Sequence, residues 1–344
     1  MRLLIVFAVV CFISLPSVHA QSKAATSATT PATQSVLASK SLLLDISPLG
    51  EEKLVAVGQY GHILLSSDGE NWQQANVPVQ ATLTRVFFLN EQLGWAVGHD
   101  ATILHSQDGG LNWQIQQYLP SLQKPLLDIY FKDAQQGIAV GAYGQVFRTN
   151  DGGSSWESEF HQEFLLADDV DYINDLKIED EQAYLDEIAF ILPHFNGLVS
   201  HGDNLFLIGE TGLLAQSKDF GFTWQKVNGF YQGSFFSLAS TGKGDFLVAG
   251  LRGHVFRRAQ EQTQWHEIST DTTALLNDIV VGKDNGRIFI LGNNGVLLVS
   301  TDEGKSFTTK IQHDGKTLIA GVWFKGRLIA VSDVGVKVIN LSKG

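Results

Sequence analysis

The sequence has a single cysteine, Cys11, a single methionine, Met1, and only 7 prolines. A lone cysteine so close to the start excludes a disulfide framework and a cysteine-based metal site. Basic residues are also scarce, 24 Lys and Arg against 36 Asp and Glu, for a formal charge of −12. That balance argues against nucleic acid as the partner. The motifs of common enzyme chemistry are missing: no H-E-x-x-H, no C-x-x-C, no G-x-S-x-G and no P-loop. Only one long apolar run is present, Leu3–Leu15. It follows the basic Met1-Arg2 and precedes Val18-His19-Ala20, so residues 1–20 are expected to be a secretory signal peptide. Its cleavage would remove Cys11 and Arg2 and leave a formal charge of −13. A lipid-attachment site at Cys11 would call for a small residue where Val10 stands. Residues 21–33, rich in Ser, Thr and Ala, read as a flexible tether. The protein is therefore expected in a periplasm, as a monomer without direct membrane insertion after cleavage.

Glycine, by contrast, is plentiful, with 34 residues, and it is regularly placed. VGQYGHILLSSDGENW (57–72), VGHDATILHSQDGGLNW (97–113) and VGAYGQVFRTNDGGSSW (140–156) are copies of one unit. Each unit reads strand, hairpin, strand, tight turn, strand, with turn residues that tolerate positive φ. The first glycine of the hairpin recurs at Gly58, Gly98, Gly141, Gly209, Gly250 and Gly292, with Ser332 in the seventh place. The steps are 40, 43, 68, 41, 42 and 40 residues. Short strands at a period near 40 mean a propeller, so the fold class is all-β, a seven-bladed β-propeller spanning residues 34–344. The seventh unit lacks its fourth strand. Residues near Gln34–Ser39 are expected to supply it beside Val336–Leu341, because an open ring leaves edge backbone unpaired. The long step contains an insertion, residues 157–193, with twelve acidic residues against one lysine, Lys177. A short amphipathic helix is predicted within Glu179–Leu192.

The S-x-D-G-G-x-x-W stretches are Asp boxes of the kind found in BNR repeats, with Asp68 and Trp72, Asp108 and Trp113, Asp151 and Trp156, and Asp219 and Trp224. The aspartate is expected to accept bonds from its own turn and the tryptophan to fill a gap between strands, a structural role. On the innermost strands Asp45, Arg85, Asp128, Ser237 and Asp278 share one place in the repeat. They either line a channel site or bond backbone on the neighbouring blade. The second hairpins carry Tyr60, His99, Tyr143, Glu210 and Arg252 at their tips, with Arg257 and Arg258 following in the same blade. Tyrosine and arginine crowded on one rim are good binding anchors, so these seven residues are the candidate partner-binding set. No catalytic residue, cofactor or metal is expected. Asp168, Asp169, Asp171 and Asp175 lack the glycine and terminal glutamate of an EF-hand loop.

The repeated VGxxGxIxxSxDGGxxW unit resembles the photosystem II stability/assembly factor family, over residues from about 41 to 344. That resemblance implies seven blades and a non-enzymatic role. Members in thylakoids assist assembly of a membrane reaction centre through a basic patch. Gly250–Phe256 is similar to the family's Arg-Gly-containing hairpin, with Arg252 on the matching position. The acidic insertion departs from the photosynthetic members. Similar proteins in non-photosynthetic bacteria are often encoded beside resistance-nodulation-division-type exporters. The expected function is a scaffold or assembly factor for a membrane protein complex or membrane transporter. The other reading is a sialidase-like glycan-binding or glycan-hydrolysing propeller, since Asp boxes occur there too. Such a site would need an arginine cluster and a Tyr/Glu pair, and the customary Phe-Arg-Ile-Pro-like start is absent.

Overall fold

The computed structural model describes residues 29–227, 229–282 and 286–341, so the segment expected to be a signal peptide lies outside the described residues. Seven antiparallel sheets follow one another along the chain, six of four strands and one of three. In blade 2, for instance, strands A to D are Leu83–Phe88, Gly94–Gly98, Thr102–Ser106 and Gln114–Gln117. The other strands A begin at Leu43, Leu126, Phe195, Phe235, Leu276 and Leu318. Strand B is deeply buried in every blade, and all five residues of Gly94–Gly98, Gly137–Gly141, Phe246–Gly250 and Ile288–Gly292 are buried. These runs have apolar side chains on both faces because each sheet packs against a blade on either side.

The recurrent first glycine ends strand B in six blades, but positive φ is not the reason for it. Gly98 is extended, with φ −177°. It pairs with Leu83 so closely that a Cβ would lie 2.1 Å from the carbonyl oxygen of Thr82. Gly58, Gly141 and Gly250 meet the same obstacle at 2.2, 2.3 and 2.0 Å. The close approach accompanies a register shift in strand A just past this pair, which occurs in all seven blades. A bulge re-aims the side chains beside it. Here it turns two positions toward the next blade. The residue just after the bulge gives Asp45, which accepts from the Val86 N–H at 2.9 Å, Asp128 from Leu198 at 2.8 Å, and Asp278 from Gly321 at 2.9 Å. The bulged residue itself gives Thr84, Asn196 and Asn277, which donate to the carbonyls of Leu126, Phe235 and Leu318. Side-chain bonds thus lace together sheets that share no backbone ladder.

Ring closure corrects the sequence-based expectation. The seventh sheet has only Leu318–Phe324, Arg327–Ser332 and Gly335–Ile339, and Gln34–Ser39 forms no strand beside it. Ala38–Lys40 instead makes a single 3-10 turn, and the Ser39 carbonyl approaches Gly335. Blade 7 closes onto blade 1 through a shared apolar cluster that includes Leu43, Ile46, Leu64, Val322, Phe324 and Ile329. Arg327 adds bonds to the Asp68 carbonyl and to Glu70, and Lys325 to Glu52 and the Ser67 carbonyl. The last stretch of the expected tether is also held. Ala32 N–H donates to Val77 at 2.9 Å, and Gln80 and Gln74 bond the carbonyls of Pro31 and Thr33.

The insertion begins later than expected, because Glu157–Glu159 is strand D of blade 3. It then forms two helices, α1 (Ala167–Glu179) and α2 (Glu181–Ile188), where one was predicted. Asp180 caps α2 by accepting from the Ala183 N–H. The insertion is packed onto the ring: Phe164, Leu165, Ile173 and Leu192 are buried in one cluster with Ile138, Phe195, Leu213 and Trp224. No helix among the described residues is long and apolar enough to cross a membrane.

Candidate functional site

Connections B–C and D–A emerge on one side of each blade, A–B and C–D on the other. Apart from the Asp333-Val334 tip of blade 7, the B–C tips are type I′ turns, which need positive φ at both central residues. At the second of these, Gly61 and Gly253 have φ of +69° and +78°, and a Cβ on either would lie 2.0 Å from a backbone carbonyl oxygen. At the first central position stand Tyr60 (φ 58°), Asp100 (59°), Tyr143 (55°), Thr211 (54°), Arg252 (57°) and Asn294 (58°). Left-handed backbone costs a large side chain about 1 kcal/mol or more relative to glycine. Only blade 6 uses asparagine, which tolerates this conformation well. Tyr60, Tyr143 and Arg252 keep bulky side chains where glycine would be less strained. Backbone strain of this kind concentrates at functional sites.

The candidate set does not converge on one pocket. Tyr60 is 61% exposed, and its ring meets His62 edge-on at 6.0 Å. His99 and Arg252 are exposed on the tips of blades 2 and 5. Tyr143 and Glu210 are drawn together by the insertion. Tyr143 packs against Phe190 at 5.1 Å and His194 at 4.6 Å, and Glu210 accepts from the His194 N–H at 3.1 Å. Arg257 and Arg258 do not join Arg252 on the rim. They lie toward the far end of Val255–Arg258, paired with Leu247 and Phe246. Arg257 is ion-paired to Asp245, and Arg258 sits over the rings of Phe246 and Trp265, at 4.7 and 5.5 Å from their centroids. Their positions suit structural contacts within the blade.

The Asp boxes occupy the opposite, C–D side. In blade 2 the Ser106 hydroxyl accepts from Gly110 N–H at 2.9 Å, and Asp108 accepts from Leu111 and Asn112. The same pattern runs through Asp68, Asp151 and Asp219. It also occurs at Asp302, a fifth box the sequence reading passed over, where the Ser306 hydroxyl pulls the carboxyl down to about 2. Trp113 and Trp224 are buried plugs, whereas Trp72 and Trp156 are only partly buried and their Nε1 atoms have no hydrogen-bond partner.

The channel holds a cavity of about 420 Å³ lined by Asp45, Arg85, Asp128, Ser237 and Asp278 among others. Both readings of that ring meet here, because the aspartates bond neighbouring backbone and also flank Arg85. Arg85 lies 3.4 Å from Asp45 and 3.2 Å from Asp128. Burial raises the Asp45 carboxyl to about 6 against the opposing pull of Arg85. Among the described residues Arg85 is the one arginine lining the cavity. Among the described residues no group of three or more His, Cys, Asp or Glu is arranged to hold a metal ion.

Against this geometry, the family model described as "Photosynthesis system II assembly factor YCF48" matches residues 64–123 and 116–280, together more than half of the chain. Two curated relatives are called "Photosystem II assembly protein Ycf48". The one from Synechococcus sp. (strain JA-3-3Ab) is 50% identical over 48 residues, 13% of this chain and 14% of that protein. The one from Synechococcus sp. (strain JA-2-3B'a(2-13)) is 46% identical over 54 residues, 15% of this chain and 16% of that protein. The chain thus matches about a seventh of their length. Among solved structures, YCF48 from Cyanidioschyzon merolae has a TM-score of 0.65 at 16% identity, covering 90% of this chain and 98% of that one. YCF48 bound to D1 peptide has a TM-score of 0.63 at 15% identity, covering 87% and 92%. A virginiamycin B lyase from Staphylococcus aureus scores 0.67 at 10% identity, covering 87% and 94%. At such identities these likenesses speak for the fold alone, and that fold carries binding proteins and enzymes alike.

Proposed function

The chain belongs to the YCF48 photosystem II assembly factor family, and from that premise we propose that it is a non-enzymatic assembly factor for a membrane protein complex. It holds an extramembrane segment of its client on the B–C rim. The observation that carries this reading is the row of left-handed tips bearing Tyr60, Tyr143 and Arg252. Arg252 supplies a planar cation for carboxylates or carbonyls, and the exposed Tyr60 supplies apolar area at small entropic cost. A D1 peptide bound to a similar propeller supports a membrane-protein segment as the class of partner. The basic-apolar start of the chain supports a periplasmic site of action, and a resistance-nodulation-division-type exporter fits as the client there.

The test is crosslinking in cells followed by mass spectrometry, with Arg252→Glu compared to the unaltered protein. Arg252 is exposed, so charge reversal is expected to abolish client capture while leaving the melting temperature unchanged. Full recovery of membrane-protein crosslinks with Arg252→Glu would remove the rim from the interface. Recovery of sugar-metabolising partners alone would overturn the assembly reading.

A further inference from the structure

The insertion enters at the D–A connection between blades 3 and 4 and therefore stands on the rim side. Its inner face completes the core of these blades, but its outer face leaves large apolar side chains uncovered. Leu166 is 72% exposed, Phe190 60% and Ile178 84%. Leu166 and Phe190 line a cleft of about 580 Å³ between the insertion and the blade 4 hairpin, with Pro193 and Val227 on its walls and Asp169 and Glu210 among its carboxylates. That volume lies in the range of ordinary ligand pockets. It takes one or two large side chains rather than a folded domain.

Charge decides what fits. Lys226 lines the cleft and Lys124 stands beside it, but both ammonium groups are turned onto backbone: Lys226 donates to the carbonyls of Phe164 and Leu165, and Lys124, whose Nζ lies 4.3 Å from the Phe190 ring centroid, to that of Ala189. Asp169 and Glu210 are the carboxylates of the lining, and Asp168, Asp171, Asp175, Glu179 and Glu181 are exposed elsewhere on α1 and α2, which makes the insertion strongly negative. An anionic lipid surface or a nucleic acid would be repelled here. A second copy, itself at formal charge −12, would bring more negative charge to this patch. We propose that the cleft between the insertion and blade 4 docks a cationic amphipathic segment of a partner protein. An apolar side chain of that segment seats between Leu166 and Phe190, and its flanking Lys or Arg residues are read by the carboxylates. This gives the chain a second contact surface beside the Arg252 rim, and it rests on the reading of the protein as a client binder.

The probe is a fluorescein-labelled synthetic peptide with leucine and phenylalanine on one helical face and lysine and arginine on the other. It is compared with a charge-reversed version carrying glutamate and a stripped version carrying serine at the apolar positions. Fluorescence anisotropy at physiological salt should show the first binding at least about tenfold more tightly than either control. Leu166→Ser, Phe190→Ser and the combined Asp168→Asn, Asp169→Asn, Asp171→Asn change should each weaken it about tenfold, and Arg252→Glu should not. Leu166 and Phe190 are exposed, so each variant is checked by its melting curve and either one suffices. Equal binding of all three peptides, or binding indifferent to both apolar variants, overturns the proposal. So does a concentration-dependent dimer in sedimentation that Leu166→Ser dissolves, or flotation with phosphatidylglycerol vesicles that depends on Leu166 and Phe190. Loss of this site with client crosslinks at Arg252 intact would leave the assembly-factor reading standing.

Discussion

Trp113→Ala is the most direct test of how the Asp boxes stabilise the ring. The side chain is 5% exposed and belongs to a cluster with Leu49, Val55, Leu65, Val77, Val86 and Leu104, so it fills space between blades 1 and 2. Its Nε1 donates to the Gly110 carbonyl at 2.9 Å, and its ring meets Phe88 edge-on at 6.0 Å. A tryptophan buries roughly 150–250 Å², which at about 25 cal/mol per Å² corresponds to roughly 4–6 kcal/mol of apolar stabilisation. Alanine keeps a fraction of that, and the cavity left behind adds a further penalty, so the expected loss is about 3–5 kcal/mol. Trp156 is the internal control, because it sits in the same kind of box but is only partly buried and has no partner for its Nε1. Trp156→Ala should therefore lose about 1–2 kcal/mol. The assay is urea unfolding followed by far-ultraviolet circular dichroism, reading the midpoint at unchanged m value. A Trp113→Ala loss within about 0.5 kcal/mol of the unaltered protein, or no larger than that of Trp156→Ala, would refute the plug.

Two further outcomes follow from the same geometry. Gly326→Ala, at φ +78° with nothing within 4 Å of its Cβ, should cost about 1 kcal/mol, the strain of the left-handed backbone alone. Gly253→Ala, at the same φ but facing the Thr272 carbonyl oxygen at 2.0 Å, should cost at least about twice that in the same melts; equal costs would mean the tip is not sterically locked. His161 has Glu163 on one ring nitrogen at 3.0 Å and Glu159 on the other at 3.3 Å, an arrangement that suits a ring protonated on both nitrogens. Burial works against the charge, but the two carboxylates prevail and lift the His161 pKa to about 9. Because the folded value lies above the unfolded one, this stabilisation is complete below about pH 6.5 and is lost as pH rises through about 9. Stability measured across that window should fall, and His161→Gln should flatten the slope; an unchanged slope would contradict the ion triad.

What the sequence displayed and what it concealed have physical causes. The blades were legible because the glycine that ends strand B recurs at a nearly constant step, although the reason for it is the close approach at the strand A bulge rather than left-handed backbone. The aspartates of the inner belt were visible because Asp45, Asp128 and Asp278 are one residue type at one place. Their companions Thr84, Asn196 and Asn277 were missed, since two residue types do the same work one position earlier. Helix α1 was hidden by its five carboxylates and by having one buried residue, Ile173. The apparent cluster of Arg252, Arg257 and Arg258 came from sequence proximity. Five residues of strand carry a side chain roughly 16 Å, which takes Arg257 well away from the tip. The fourth strand of blade 7 was expected because an open ring is an exposed edge. Blade 7 meets blade 1 instead with an apolar face and with Arg327 and Lys325.

The two sides of the propeller are built under different constraints, and the proposed binding surface lies on the more tolerant of them. On the C–D side, five boxes bind their own turns with side-chain hydrogen bonds that leave little room for other chemistry. On the B–C and D–A side, the second tip glycines are fixed by neighbouring carbonyls, as at Gly61 and Gly253, but the residue before such a glycine is tyrosine, threonine, arginine or asparagine, and blade 2 has Asp100 before Ala101. The same side accepts some thirty residues between blades 3 and 4 without disturbing a single strand pairing of either blade. A partner surface placed there can change in charge and shape while the inner belt of Asp45, Asp128 and Asp278 keeps the ring. Arg252 on a tip and the acidic helices of the insertion are then two independent variations on one tolerant face, the first offering positive charge and the second negative. A client that touched both would have to present an acidic or carbonyl-rich segment to blade 5 and a basic apolar one to blade 4. That polarity would set the direction in which it lies across the rim.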